Sequence, residues 1–410
     1  MVYPTEEVRV VWTSDQGSMA HQTAVTRWPK IVQGTVDDVD ETAASSDKNK
    51  RAEWATLRIA LQEIMHEIER NEPLKWSAWY WRIQTIFNTS KNWQGYDVFK
   101  RQKDSTFVKS RVAVEEIASR YMQVVAESGL ASHGSEARRF LFIEMTEMAL
   151  WGNATDLSLL SHLSIEDMRD LQGQEAIQKS QKNIVDNDTD AVWTYLQCTP
   201  SPVDRHVDMV LDNAGFELFT DLIYAAYLLD SQIATSMQLH IKQFPWFVSD
   251  VVPTDVDSLF EHLESAKCFP DRAYLDQLVP RLRKSFESGA ITITSDPFWT
   301  TPYSFHEIPI RAPALFDHLQ SSYLVIFKGD LNYRKLAKDG LWPYTTSFRE
   351  ALGPLGESRM KILALRTNKS DTCVGVESQG KVDALNAEAP GGAWVRNGRY
   401  AVIAFHGGHC

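Results

Sequence analysis

Cysteine is scarce in this 410-residue chain, and its absence excludes two kinds of scaffold. Cys198, Cys268, Cys373 and Cys410 are scattered, with no C-x-x-C pair and no histidine at ligand spacing. Reduced thiols in an intracellular protein are therefore expected, rather than a disulfide framework or a zinc site. Long apolar runs are also missing. The best stretch, Leu218 to Leu229, is broken by Asp221 and falls short of the roughly 18–20 residues a membrane span needs. The start, Met1-Val2-Tyr3-Pro4-Thr5-Glu6-Glu7, has no charged segment leading into an apolar one, so no secretory signal is visible. Without secretion, the N-x-S/T sequons at Asn88 and Asn153 carry no weight. Positive charge is in deficit: 42 Lys and Arg stand against 54 Asp and Glu, a net charge of −12. That balance argues against nucleic acid or an anionic membrane as partner, because both need a basic footprint. It leaves room for a local basic pocket that takes a small anion. The expectation is a soluble cytoplasmic protein, with the nucleus also open to it and no signal for an oligomeric state.

With 43% hydrophobic and 23% charged residues, the chain can bury a sizeable core. Two halves read differently. From about Arg51 to Val192 the periodicity is helical: Trp54, Leu57, Ile59, Leu61, Ile64, Met65 and Ile68 recur at three- and four-residue steps. Thr35 to Lys50, acidic and Ser-containing, reads as an exposed linker. After about Pro202, short β-branched runs appear at Val207–Leu211, Met237–Ile241, Ile291–Thr294, Tyr323–Phe327, Ile362–Leu365 and Tyr400–Phe405. Helical patterns at Phe216–Leu229, Val256–Lys267, Tyr274–Glu287 and Pro313–Leu319 alternate with them. Continuous buried strands alternating with helices predict an α/β fold with a doubly wound, mostly parallel sheet in three layers. Residues 1–200 are expected to form a helical N-terminal annex packed on an α/β catalytic half, 201–410.

In open α/β sheets, ligands bind beyond the carboxyl ends of the strands. Four consecutive predicted strand ends carry acids, amides or cations: Asp212-Asn213 with Glu217, then Ser249-Asp250, then Lys328-Gly329-Asp330 with Asn332, then Arg366-Thr367-Asn368-Lys369-Ser370. Asp212, Asn213 and Asp250 offer two carboxylates and an amide oxygen, donors that suit a hard cation such as Mg²⁺ or Mn²⁺. Asp-Asn before a helix is also an ordinary N-cap, and that reading stays open. Arg366 and Lys369 supply a fork and a point charge of the kind that hold phosphate, although a solvated loop is the commonest fate of such residues. Each loop alone is weakly informative, and their convergence on one sheet edge is what points to a site.

Leu211-Asp212-Asn213-Ala214-Gly215-Phe216-Glu217-Leu218, Trp246-Phe247-Val248-Ser249-Asp250, Phe327-Lys328-Gly329-Asp330-Leu331-Asn332-Tyr333-Arg334-Lys335-Leu336 and Arg366-Thr367-Asn368-Lys369 together resemble the damage-control phosphatase family. They are most similar to its third subfamily, the sugar-phosphate phosphatases, which has also been described as a protein-glutamate carboxyl methyltransferase. Trp151 to Ser158 and Arg27-Trp28-Pro29 fit the same pattern, so the resemblance spans nearly the whole chain.

The resemblance implies a divalent metal (Mn, Co, Ni or Mg) on Asp212, Asn213 and Asp250, which are also the catalytic set. It implies substrate contacts from Glu217, Asp330 and the Arg366–Ser370 loop (Arg366, Thr367, Asn368, Lys369, Ser370). A late lysine of the family matches Arg399 here, a planar fork in place of a compact ammonium. The implied reaction is metal-dependent hydrolysis of fructose 1-phosphate, fructose 6-phosphate and related reactive sugar phosphates. Two readings compete with it. S-adenosylmethionine-dependent methylation of protein glutamate finds little support, since no G-x-G-x-x-G loop follows the first predicted strand. A non-catalytic binding protein built on the Trp-rich annex (Trp54, Trp76, Trp79, Trp81, Trp93) ranks lowest, because such tryptophans are more often core.

Overall fold

The computed structural model describes residues 8–11, 13–70, 83, 85–87, 89, 91, 99–126, 135–152, 181–198 and 204–408. Asn88, Asn153, Trp76, Trp79, Trp81 and Trp93 lie outside the described residues, as do Cys198's side chain and Cys410. Among the described residues, seven strands form one sheet: β1 (Ile184–Asn187), β2 (His206–Val210), β3 (Ser236–His240), β4 (Ile291–Thr294), β5 (Leu324–Lys328), β6 (Ile362–Thr367) and β7 (Ala401–His406). Their spatial order is β1-β7-β6-β5-β2-β3-β4. The neighbours from β6 across to β4 are all parallel, while β7 runs antiparallel to β6 and parallel to β1. The doubly wound, mostly parallel α/β sheet expected from the sequence is therefore present.

Strand alternation sorts the core into two layers. Val207, Met209, Leu324, Ile326, Leu363 and Leu365 pack under the helices Arg111–Ala126, Ser135–Trp151 and Phe216–Asp230. Val210, Val325, Phe327, Ile362 and Ala364 face Trp299, Phe305, Tyr333 and Leu336 on the other side. One residue breaks the second layer. Asp208 stands fully buried at a position where alternation calls for an apolar side chain.

Two features differ from expectation. Thr35–Ala44 is the second half of a helix, Trp28–Ala44, and not a linker. Val32, Thr35, Val36, Val39 and Ala43 recur at helical spacing and are buried, while Asp37 and Glu41 face solvent, so the acidic residues mark the outer face of a helix. The turn is confined to the next few residues, where Asp47 caps Lys48–Glu69 by accepting from the backbone N–H groups of Asn49 and Lys50 at 2.9 Å. The second difference is β1, which lies ahead of residue 201. Its apolar run is only Ile184-Val185, too short to register as a strand until β7 pairs with it. A third apolar cluster joins Val36, Trp54, Leu61, Ile64 and Phe99 of the N-terminal helices to Val248, two residues before Asp250.

From β2 the chain winds outward through β3 to β4, and from β5 it winds the opposite way through β6 to β7. The switch point therefore falls between β2 and β5, where such sheets open a crevice at their carboxyl edge.

Candidate active site

Backbone bonding sets the three expected ligands side by side in this crevice. Asp212 O accepts from Val251 N at 2.9 Å, Ser249 O accepts from Ala214 N at 2.7 Å, and Asn213 pairs with Asp250 as an isolated antiparallel bridge. Ser249 Oγ donates to Asn213 Oδ1 at 2.5 Å, and Asn213 Nδ2 donates to Asp212 Oδ2 at 2.9 Å and Glu217 Oε2 at 2.7 Å. The loop before Asp250 is strained: Phe247 has φ 48° and Val248 φ 78°. A β-branched residue in that region costs about 1–3 kcal/mol and persists only where its surroundings hold it. Here the N-terminal apolar cluster does so, since Val248 is buried within it. Gly329, at φ 83°, lets β5 approach closely, because a Cβ there would lie 1.9 Å from Asp212 Oδ2.

Around these ligands lie four buried carboxylates (Asp212, Glu217, Asp221, Asp250) and two buried ammonium groups, Lys242 and Lys328. Lys328 Nζ sits 2.9 Å from Asp221 Oδ1 and 3.7 Å from Glu217 Oε1, and donates to Ala149 O. Lys242 Nζ sits 3.4 Å from Asp250 Oδ2 and donates to Leu211 O at 2.7 Å. Burial, reinforced by Glu217 and Asp250, drives the Asp212 carboxyl well above its ordinary value against the pull of Lys242 and Lys369. Burial lifts Asp221 to about 7 despite Lys328, and Asp250 to about 6 despite Lys242. Glu217 Oε1 and Asp250 Oδ2 are buried without a hydrogen bond. The all-oxygen donor set of Asp212, Asn213 and Asp250, with Asp250 Oδ2 lacking a hydrogen bond, fits a divalent hard cation.

A second knot forms on the neighbouring strand ends. Asp330 Oδ1 accepts from Arg366 Nε at 2.7 Å, Lys369 N at 3.1 Å and Ser370 Oγ at 3.0 Å. Burial would raise its pKa, but Arg366 and Arg334 win and hold the carboxyl below its usual value. Arg366 is itself fully buried, with its guanidinium carbon 4.5 Å from the centre of the Tyr333 ring and a further bond to Ser370 Oγ at 2.9 Å. Only its NH1 lacks a hydrogen bond. Arg366 thus organises the loop more than it presents a free fork. Lys369 acts on Asp212 electrostatically, which links the two knots. Thr367 and Asn368 are buried, with Thr367 Oγ1 and both side-chain polar atoms of Asn368 unpaired, while Asn368 N donates to Tyr400 O at 2.7 Å. Arg399 precedes β7 at the same sheet edge, yet its side chain is exposed and pairs with Glu388 at 3.0 Å.

Several participants were given no role in the sequence reading. Lys242, Lys328 and Asp221 share one signal, a lone charge inside or ending an apolar run, which must be buried and partnered. Lys335 belongs with them: burial, aided by Lys242, lowers its ammonium to about 7, and Nζ donates to Thr301 O at 2.9 Å. A different cluster, at the amino side of the sheet, brings ligand atoms of His206, Asp208 and His318 within 4.8 Å of one another. Asp208 Oδ1 meets His240 Nε2 at 2.7 Å and His318 Nε2 at 3.0 Å, and Ser322 Oγ donates to Oδ2. No spacing rule joins these residues, because they come from β2, β3 and the helix Pro313–Ser321 with the turn after it.

Buried acids and the Arg366–Ser370 loop thus gather at the switch-point edge of an α/β sheet. The chain belongs to the damage-control phosphatase ARMT1-like domain family, whose pattern matches residues 23–385. It is 33% identical to damage-control phosphatase ARMT1 of Rattus norvegicus over 80% of this chain and 72% of that one. With the Mus musculus protein of the same name it shares 29% identity over 96% of this chain and 97% of the relative. A crystal structure of a DUF89 family protein from Pyrococcus horikoshii aligns over 94% of this chain and 96% of that one, with a TM-score of 0.38 and 14% identity. Among the described residues, no helix is long and apolar enough to cross a membrane.

Proposed function

We propose that this chain is a metal-dependent phosphoric monoester hydrolase of the third damage-control subfamily, acting on fructose 1-phosphate, fructose 6-phosphate and related reactive sugar phosphates. The observation that carries the reading is the gathering of the buried carboxylates Asp212, Glu217 and Asp250 at the switch point, with Glu217 Oε1 and Asp250 Oδ2 lacking a hydrogen bond, beside the Arg366–Ser370 loop. A divalent ion (Mn, Co, Ni or Mg) on Asp212, Asn213 and Asp250 would supply charge neutralisation and an acidified water. Lys369 would bring a point charge to the phosphoryl oxygens, and Arg366 fixes the loop from which Lys369 extends. Glu217, which accepts from Asn213 Nδ2, would contact a substrate hydroxyl. Lys328 and Lys242 keep the acidic pocket foldable by offsetting part of its charge.

The test measures phosphate release from fructose 1-phosphate with Mn²⁺, Co²⁺ or Ni²⁺, with and without EDTA, alongside Mn²⁺ binding by equilibrium dialysis. EDTA-sensitive release and Mn²⁺ binding, both lost in Asp212→Ala, support the proposal. Release that Asp212→Ala leaves unchanged would sink it.

A further inference from the structure

We propose that His206, Asp208 and His318 form a second cation site, selective for a zinc-class transition metal and separate from the oxygen cluster at Asp212. Strand alternation puts His206 and Asp208 on one face of β2. His318 arrives from the last turn of the helix Pro313–Ser321, just before β5. His206 Nε2 lies 3.7 Å from Asp208 Oδ1, and His318 Nε2 lies 3.0 Å from the same atom. A tetrahedral ion with bonds of about 2.0–2.1 Å sets its donors roughly 3.3 Å apart, so small side-chain shifts suffice.

The surroundings are those of a held ligand set. His206 Nδ1 bonds Ser236 Oγ at 2.8 Å, which turns Nε2 toward Asp208, and Nε2 is buried without a hydrogen-bond partner. His240 and Ser322 fix the Asp208 carboxylate from both oxygens, and His240 Nδ1 is likewise buried and unpaired. Asp208 is fully buried at a position that alternation reserves for an apolar residue, a cost that demands compensation. The side chains of His206 and His318 stay 27% and 38% exposed, which leaves a solvent-facing fourth position.

Donor chemistry separates this site from the one at the other edge. Imidazole favours Zn²⁺ and its neighbours in the transition series, whereas carboxylate and amide oxygens favour Mg²⁺ and Mn²⁺. Four residues along β2 set the two sites about 13 Å apart. A metal here would tie the helix Pro313–Ser321 to β2 and so brace the strand that carries Asp212.

The experiment uses the full chain, stripped with a chelator, loaded with Zn²⁺ in excess Mg²⁺, gel-filtered and analysed for metal. The expected result is about one retained Zn²⁺ per chain in the wild type and in Asp250→Asn, and its loss in His206→Ala/His318→Ala, with Zn²⁺ raising the melting temperature only where it is retained. Should the double variant fail to fold by circular dichroism, His318→Gln alone is expected to weaken Zn²⁺ binding at least about tenfold. Zn²⁺ retention equal in wild type and histidine variants, or none in the wild type, overturns the proposal and leaves a hydrogen-bonded histidine–aspartate network.

Discussion

Strand β2 carries a polar cluster at each end, and the two balance charge in opposite ways. At the carboxyl edge, Asp212 joins Glu217, Asp221 and Asp250, and burial pushes Asp212, Asp221 and Asp250 up in pKa despite the lysines beside them. At the amino side, Asp208 is a single carboxylate ringed by His206, His240, His318 and Ser322. Burial works against its ionised form, yet His206, His240 and Ser322 hold it well below the usual carboxylate range. One cluster crowds carboxylates together and the other surrounds a single carboxylate with donors. Burying an acid therefore does not by itself dictate its chemistry; the neighbours brought in by other strands decide it.

Breaking the acidic end should give the largest effect. Asp212→Ala is expected to cut phosphate release by on the order of 10³-fold, measured with fructose 1-phosphate and Mn²⁺, while Zn²⁺ retention at the histidine end stays as in wild type. Lys328→Met tests the partial compensation. It strands Asp221 and Glu217 in the core, and urea unfolding should show a loss of about 3–5 kcal/mol. Arg366→Lys keeps the charge but removes the fork to Asp330 and Ser370. A loss of about 1–3 kcal/mol by urea unfolding is expected, together with a lower kcat/KM, because the loop bearing Lys369 loses its anchor.

A smaller, pH-dependent effect belongs to Asp186 on β1, whose carboxyl is raised to about 8 by burial and by Asp188. It stays protonated in the fold but ionises in the unfolded chain from about pH 4, so this group costs stability as pH climbs between those values. Asp186→Asn should remove that cost, narrowing the drop in melting temperature between about pH 5 and pH 8 by a few degrees. Arg399→Ala should do least. Its guanidinium is exposed on Glu388, so thermal unfolding should change by no more than about 0.5 kcal/mol.

The parallel strands were legible because each is buried on both faces and reads as an unbroken β-branched or aromatic run, as in Leu324-Val325-Ile326-Phe327. The strand-end residues Asp212, Asn213, Asp250, Asp330 and Arg366 were legible because topology sends such positions to one edge. The helix through Thr35–Ala44 was misread, since its acidic face hid a buried stripe of Val32, Val36 and Val39. Nothing local marked β1, which exists through its pairing with β7.

By itself the amino-acid sequence determined the fold class, the sheet edge on which Asp212, Asn213, Asp250 and Asp330 gather and the oxygen-donor character of the Asp212 cluster, because periodicity and residue type are local properties. Only the tertiary structure decided which charges meet. It paired Lys328 with Asp221, committed Arg366 to Asp330, turned Arg399 toward Glu388 and gathered His206, Asp208, His240 and His318 from three elements. Those outcomes depend on strand register and helix placement, and a Coulomb or hydrogen-bond energy that changes steeply over a few ångströms cannot be read from residue type alone.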